Sequence, residues 1–277
     1  MKRVGVLYHP LVETAFGLAE KLEKFLSSRG VSVWLCSAWE GEKARAQVYG
    51  TDLILSIGGD GTILRVAQAV VPCSTPITGI NLGNLGFMTE LRADEVMAKL
   101  PALLGGEGWI DGRDLLEAEV SVSDEKSPSV FYALNDVVVA RGAMARTVRI
   151  QASIDGETLT TYKADGVIVA TATGSTGYSL AAGGPILHPQ SDEFLLLPLL
   201  PHLSSAYSLV LPPTAVVKLR LDAVQQAVLS VDGHINLPLS GGTIVTVKHS
   251  SNKTRFLRIH PKTSFYASLE QRLKGKG

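Results

Sequence analysis

A chain of 277 residues is long enough for one or two domains with a sizeable core. Its 26 Lys and Arg balance its 26 Asp and Glu, so no bulk charge draws it to nucleic acid or to an anionic membrane surface. A hydrophobic content of 45% with 19% charged residues excludes a disordered chain and matches an ordinary globular protein.

The first hundred residues predict alternating strands and helices. Val4 to Tyr8 forms the first strand, because the apolar run behind Met1-Lys2-Arg3 is too short for a signal peptide. Ala15, Leu18, Ala19, Leu22, Phe25 and Leu26 recur at helical spacing, and Gly30 stands where a C-terminal cap belongs. Val31, Val33 and Leu35 alternate as a second strand. Leu53 to Ile57 is a continuous apolar strand, the kind covered on both faces of a parallel sheet. A helix from about Ile63 to Val70 and a strand over Ile77 to Ile80 follow. These units predict an α/β N-terminal domain over residues 1–110 with a mostly parallel sheet.

Beyond residue 110 the texture becomes that of a β-rich C-terminal domain, residues 111–262. Strand patterns run over Glu117 to Val122, Val130 to Ala140, Thr147 to Ile154, Val167 to Ala170, Leu209 to Leu211, Val216 to Leu221, Ala227 to Val231, Thr243 to Val247 and Phe256 to Ile259. The polar stretch Ser123-Asp124-Glu125-Lys126-Ser127-Pro128 is turn chemistry, and Asp155-Gly156 is a strong two-residue hairpin signal. Asp165-Gly166 and Asp232-Gly233 also read first as hairpin turns. Phe265, Leu269 and Leu273 predict a closing helix near Ser264 to Leu273, in a 263–277 tail that packs back on the first domain. The most apolar stretch, Phe194 to Leu200, is broken by Pro198 and cannot span a bilayer. Cys36 and Cys73 lack metal or disulfide spacing, so the expectation is a cytoplasmic protein without membrane or nucleic-acid partners.

Three glycine-rich clusters carry the chemistry. In Ser56-Ile57-Gly58-Gly59-Asp60-Gly61-Thr62, a turn follows a buried strand and opens a helix. Such a turn leaves room for a ligand, and its N–H groups favour an anion such as phosphate. Asp60 inside it would repel a merely bound phosphate, yet could take the proton of an attacking hydroxyl. A tight βα turn with Asp60 as helix N-cap accounts for the same residues, and the stretch alone does not separate the two. The second cluster, Gly79 to Met88, follows another strand; ligands gather at such carboxyl ends, and Phe87 offers a flat face or fills a core. The third runs from Thr171 to Pro185, where small and hydroxyl residues suit close approach to a polar ligand around Tyr178. Gly174-Ser175-Thr176-Gly177 lacks the spacing of a hydrolase nucleophile elbow, and neither a Walker A loop nor a G-x-G-x-x-G fingerprint occurs.

Together, Gly58-Gly59-Asp60-Gly61-Thr62, Asn81-Leu82-Gly83-Asn84-Leu85-Gly86-Phe87, Asn135-Asp136 and Thr173-Gly174-Ser175-Thr176-Gly177-Tyr178-Ser179-Leu180-Ala181-Ala182-Gly183-Gly184-Pro185 resemble the motifs of bacterial NAD kinases, in that family's order. The first alone is weak, being shared with lipid kinases and some sugar kinases; the long last motif is specific. The resemblance implies phosphoryl transfer from ATP or polyphosphate, with Mg or another divalent metal, to the 2′-hydroxyl of the adenosine ribose of NAD, giving NADP. It implies an α/β domain followed by a β-rich one with the site between them, and a homodimer or homotetramer. It gives Asp60 the role of base and places Gly59, Gly61, Thr62 and Phe87 at the nucleotide. Asn135 and Asp136 would contact adenine and ribose. Lys163, Asp165, Thr173, Thr176, Gly177, Tyr178 and Ala181 would line the rest, and no side chain is assigned to a metal.

The chain departs from the family pattern at several positions. Lys163 replaces a common Arg, Gly177 an Ala, Ala172 a Pro, Ala181 a Ser and Tyr207 an Arg, while Asp232-Gly233-His234 resembles an Asp-Gly-Gln stretch of minor expected role. None of these removes Asp60. The rival readings are a lipid or sugar kinase sharing only the first motif, and a dinucleotide-binding regulator without turnover.

Overall fold

The computed structural model describes residues 1–83, 86–121, 128–142, 147–202, 207–223, 225–262 and 265–274. Asn84, Leu85, the predicted turn over 123–127 and Ser264 lie outside them. The chain divides into two compact units, Met1–Arg113 with Thr254–Gly277, and Asp114–Lys253.

The first unit opens with β1 (Arg3–Tyr8), α1 (Glu13–Ser27), β2 (Ser32–Ser37), α2 (Gly41–Val48), β3 (Leu53–Ile57), α3 (Asp60–Val70), β4 (Ile77–Asn81), β5 (Leu91–Arg92) and α4 (Val96–Leu104). Its strands lie in the order β2-β1-β3-β4, all parallel, with β5 beside the end of β4. On α1, Ala15, Ala19, Leu22 and Leu26 form the buried stripe and pack with Val4, Val6, Leu53 and Leu55 of the sheet. β3 is buried at all five positions, as its unbroken apolar run requires of a strand covered on both faces. The chain turns one way from β1 to β2 and the other way to reach β3. This makes the carboxyl ends of β1 and β3 a switch point, where open α/β sheets bind ligands.

The second unit holds most of β6 (Trp109–Ser121), then β7 (Ser129–Ala133), β8 (Asp136–Arg141), β9 (Val148–Ile154), β10 (Glu157–Ala164) and β11 (Gly166–Ala170). A 3₁₀ turn (Gly174–Thr176) and the one-turn helix α5 (Tyr178–Ala181) follow. After them come β12 (Phe194–Leu199), β13 (Leu209–Leu211), β14 (Val216–Leu221), β15 (Ala227–Val231), β16 (Ile235–Leu239) and β17 (Ile244–Arg258). One antiparallel sheet runs β13-β12-β11-β8-β15-β16. The other places β10-β9-β14 beside β17. Alternate residues of both sheets interdigitate: Ile150, Ala152, Val217 and Val247 share a core with Val137, Val139, Val167, Val169 and Leu229. The opposite faces of β8, β11 and β12 are buried too, through Val138, Ile168, Leu195 and Leu197, with Ala182 and Leu187 packed on them. Double burial explains why these strands read as continuous apolar runs. The helix α6 (Phe265–Lys274) then closes the first unit.

The structure corrects the sequence expectation in four places. The run from Val130 to Ala140 is two strands, broken at Leu134-Asn135, where backbone N–H groups turn to the Asp232 carboxylate. Thr243 to Val247 and Phe256 to Ile259 belong to one fifteen-residue strand, β17. Asp165-Gly166 is no hairpin: β10 and β11 lie in different sheets, and a Cβ on Gly166 would meet the Val139 carbonyl at 2.6 Å. The predicted helix at Ile63 begins at Asp60, so the glycine turn itself supplies the first helical turn. Asp155-Gly156 does form a two-residue hairpin, and Asp232-Gly233 turns within the three-residue loop Asp232 to His234 between β15 and β16; both pairs carry positive φ at both residues.

Candidate active site

In the first unit the site is built around Asp60. Gly58, at φ 153°, follows β3, and a Cβ there would overlap the Thr62 side chain, so the turn tolerates no other residue. Gly59 and Gly61 differ: both are exposed, and a Cβ on either would meet nothing. The protein does not need glycine at these two positions, so the space they leave is available to a ligand. Thr62 is 1% exposed and its Oγ1 has no hydrogen-bond partner among the described residues; it sits beneath the turn.

Asp60 is the first residue of α3, half-exposed, and makes no side-chain cap. Its carboxylate points across the turn to the 86–88 segment instead. Oδ2 accepts from the Phe87 N–H at 2.8 Å and Oδ1 from the Met88 N–H at 3.0 Å. Each oxygen retains a lone pair, so the carboxylate is fixed without being exhausted as an acceptor. A Cβ on Gly86 would overlap this carboxylate. The helix dipole adds a positive field at the same place. Phe87 is half-buried, and its backbone serves Asp60 as much as its ring serves any ligand.

In the second unit a cavity of about 380 Å³ is lined by Asn135, Asp136, Tyr178, Ser230 and Asp232, among others. Asp232, 6% exposed, accepts the backbone N–H groups of Leu134 at 2.9 Å, Asn135 at 2.7 Å and Asp136 at 3.1 Å. Burial, and then the Asp232 charge beside it, pushes the Asp136 carboxyl up to about 7. Asn135 is half-buried and lines the cavity, and its Oδ1, itself buried, has no hydrogen-bond partner among the described residues. The glycine-rich segment packs onto the same strand break. Thr171 Oγ1 donates to the Leu134 carbonyl at 2.6 Å and accepts from the Gly174 N–H at 3.0 Å, while Gly174 lies too close to the Asn135 backbone to carry a Cβ.

Of the second-unit residues named from sequence, Asn135, Asp136 and Tyr178 line one cavity. Gly177 reaches its edge, since a Cβ there would lie 3.5 Å from Asn135 Nδ2. Thr173, just before the 3₁₀ turn, and Thr176, at its end, are both buried, with Thr176 Oγ1 donating to the Thr173 carbonyl at 3.3 Å. Lys163 and Ala181 are exposed, and Asp165 pairs with Arg141 at 3.2 Å; none of these lines the cavity. Sequence reasoning gave Asp232 a minor part and passed over Arg258 and Arg272. Arg258 donates to the Met88 and Thr89 carbonyls at 2.7 and 3.2 Å, and Arg272 to those of Gly86 and Phe87 at 2.7 and 3.1 Å.

A fixed carboxylate at the head of a helix, behind a glycine turn at a sheet switch point, suits a nucleotide-binding enzyme of the phosphotransferase class. Residues 36–108 match the ATP-NAD kinase N-terminal domain and residues 134–259 the ATP-NAD kinase C-terminal domain. The NAD kinase of Dehalococcoides mccartyi is 48% identical over 99% of this chain and 96% of its own. That of Chloroflexus aurantiacus is 41% identical over 99% of both. Among solved structures, yeast NADH kinase complexed with NADH aligns with a TM-score of 0.88 at 25% identity, over 99% of this chain and 88% of that one. An NAD kinase from Archaeoglobus fulgidus in complex with ATP aligns with a TM-score of 0.77 at 26% identity, over 99% of this chain and all of that one. The chain belongs to the NAD kinase family.

Proposed function

We infer that this chain transfers a phosphoryl group from ATP to the 2′-hydroxyl of the adenosine ribose of NAD, forming NADP. The observation that carries the reading is the Asp60 carboxylate, pinned by two backbone N–H groups with lone pairs to spare, at the head of α3. In the proposed reaction Asp60 takes the hydroxyl proton as the ribose oxygen bonds to the γ-phosphorus. The bond from that phosphorus to the β–γ bridging oxygen breaks, and ADP leaves. The exposed backbone of Gly59 and Gly61 and the N-terminus of α3 suit the phosphates.

The nucleoside end of NAD is assigned to Asn135, Asp136 and Tyr178. The Asn135 amide is proposed to meet the adenine, and Asp136, near its own pKa at neutral pH, both donates to and accepts from a diol. Thr173, Thr176 and Gly177 shape the turn that holds Asn135, and Phe87, Lys163, Asp165 and Ala181 are proposed as outer contacts. Among the described residues no three His, Cys, Asp or Glu side chains gather as a metal cage. Mg²⁺ is proposed to arrive on the phosphates of the donor. Homo-oligomer formation is proposed on the family's habit alone. No helix among the described residues is long and apolar enough to cross a membrane.

The test is NADP formation from NAD with ATP·Mg²⁺ or polyphosphate, beside Asp60→Asn. A positioned base contributes about 10²- to 10⁴-fold, so the variant is expected to lose at least about 10²-fold in kcat. A variant within twofold of the wild type overturns the role of Asp60. NAD binding without product under either donor favours the non-catalytic regulator.

A further inference from the structure

The peptide units on either side of Phe87 stand between two opposite charges. The Gly86 carbonyl accepts from Arg272 at 2.7 Å, and the N–H of the same peptide unit, on Phe87, donates to Asp60 at 2.8 Å. The next unit repeats the arrangement: the Phe87 carbonyl accepts from Arg272 at 3.1 Å, and the Met88 N–H donates to Asp60 at 3.0 Å. In a trans peptide the C=O and N–H point in opposite directions and cannot rotate independently. Drawing both carbonyls toward one guanidinium therefore aims both N–H groups at one carboxylate. The cation also polarises the two peptide units, which strengthens their N–H donors.

We propose that Arg272 is a positioning residue for phosphoryl transfer, setting the Asp60 carboxylate through the Gly86–Phe87 and Phe87–Met88 peptide units. The proposal rests on the reading of Asp60 as the base. Arg272 lies on α6, 186 residues from Gly86 in sequence, and is half-buried. Its guanidinium carbon is 5.9 Å from the Phe87 ring centroid. Burial lowers its pKa from the ordinary value, with the Arg113 charge adding to that, while Asp60 and Glu90 oppose it. The segment continues into a second anchor, because Arg258 takes the Met88 and Thr89 carbonyls. Arg258 is 5% exposed and tied to Asp111 and Glu90, so it holds the far end of the loop rigidly. Among the described residues, Arg272 is the side chain that addresses both peptide units facing Asp60, and it comes from α6. The C-terminal helix thereby becomes part of the catalytic apparatus without touching substrate.

The experiment is a double-mutant cycle between Arg272 and Asp60, read in kcat and KM for NAD and ATP, with residual rates followed by radiolabelled ATP. Arg272→Ala is expected to lower kcat about 10- to 100-fold with each KM within about twofold, because a misaimed base weakens the chemical step and not ground-state binding. Arg272→Lys keeps one donor and is expected to recover part of the loss. In the Asp60→Asn background Arg272→Ala is expected to cost no more than about twofold, since there is no base left to aim. A kcat within twofold of wild type for folded Arg272→Ala, judged by circular dichroism and melting, overturns the proposal. Equal losses in both backgrounds, or a loss confined to KM, overturn it as well. Should Arg272→Ala fail to fold, Arg272→Lys and Arg272→Gln carry the same cycle. No product from the wild type, or an unaffected Asp60→Asn, removes the premise itself and is distinguished from these results by the single-variant controls.

Discussion

Asp232 and Asp136 face one another across the break between β7 and β8, and the Asp136 backbone N–H donates to Asp232 Oδ1 at 3.1 Å. The same carboxylate takes the N–H groups of Leu134 and Asn135, so one side chain on a hairpin turn caps three consecutive donors. That capture ends β7, starts β8 and leaves Asn135 facing the cavity. Asp232→Ala strands these donors in a buried site, and each unsatisfied buried group costs about 1–3 kcal/mol. The expected loss in denaturant unfolding is about 3 kcal/mol or more, with NAD binding weakened beyond detection at stabilities where the fold persists. Asp232→Asn keeps one acceptor and tolerates the positive φ of 50°, and should lose less.

The Asp136 carboxyl titrates near 7 because burial and the Asp232 charge oppose its ionised form. Its folded pKa lies above the unfolded value near 4. Between those two limits the folded state binds a proton that the unfolded state releases, so stability falls as pH rises through this window. The cost is absent below about pH 4 and fully present above about pH 7. Asp136→Asn removes it. The melting temperature of the wild type, relative to this variant, is expected to fall by several degrees between pH 5 and pH 8, at roughly 2–4 °C per kcal/mol. A difference that stays flat across this range would show that Asp136 does not titrate there.

Gly86 is held to glycine by Asp60, not by its own backbone angle. A Cβ at this position would overlap the carboxylate, so either the 86–88 loop or Asp60 must move. Gly86→Ala is therefore expected to lower kcat about 10- to 100-fold while unfolding stability changes by less than about 1 kcal/mol, because Gly86 and Phe87, at the end of the loop away from Arg258, are half-exposed and can shift. The same assay run on Gly61→Ala, where a Cβ meets nothing in the protein, should show its effect in the KM for ATP.

The elements that could be read from sequence are those whose pattern was settled locally. β3, β14 and β15 lie where uniform burial or strict alternation put them. α2 was missed because only Ala44 and Val48 are buried on it, too few for a periodic signal. α4 was missed because Pro101 sits inside it, a residue that normally ends a helix. The long strand β17 hid behind the polar stretch His249 to Arg255, which sequence rules assign to a loop. The candidate site divides the same way. Asp60 and Tyr178 stand in contiguous glycine-rich clusters, whereas Asn135-Asp136 read locally as a strand-end turn and gain a binding role only through the family resemblance. Asp232 and Arg272 act through backbone groups 98 and 186 residues away, and nothing in their local sequence announces the partner. Asp232-Gly233 looks like a turn and is one; its second role exists only in three dimensions.

Buried charges anchor the Met88-Thr89 end of the loop through Arg258. Asp111, 3% exposed, bonds Arg113 at 3.0 and 2.7 Å and Arg258 at 3.2 Å from two of its nitrogens. It is the carboxylate between two buried guanidinium groups, and Arg258 also leans on Glu90 at 3.4 Å. Burial alone disfavours the charged form of Arg258, and the neighbouring Arg113 charge adds to this, so the site depends on Asp111 and Glu90 for compensation. Removing one partner of a buried ion pair typically costs about 3–5 kcal/mol, since the charge left behind stays desolvated. Asp111→Ala is expected to lose that amount in denaturant unfolding and, through Arg258, to loosen the Met88 and Thr89 carbonyls. Hydrogen exchange at the Met88 amide, which Asp60 holds, should then quicken more than exchange in α1. Equal quickening in both would mean that the cluster stabilises the unit as a whole and does not specifically support the loop.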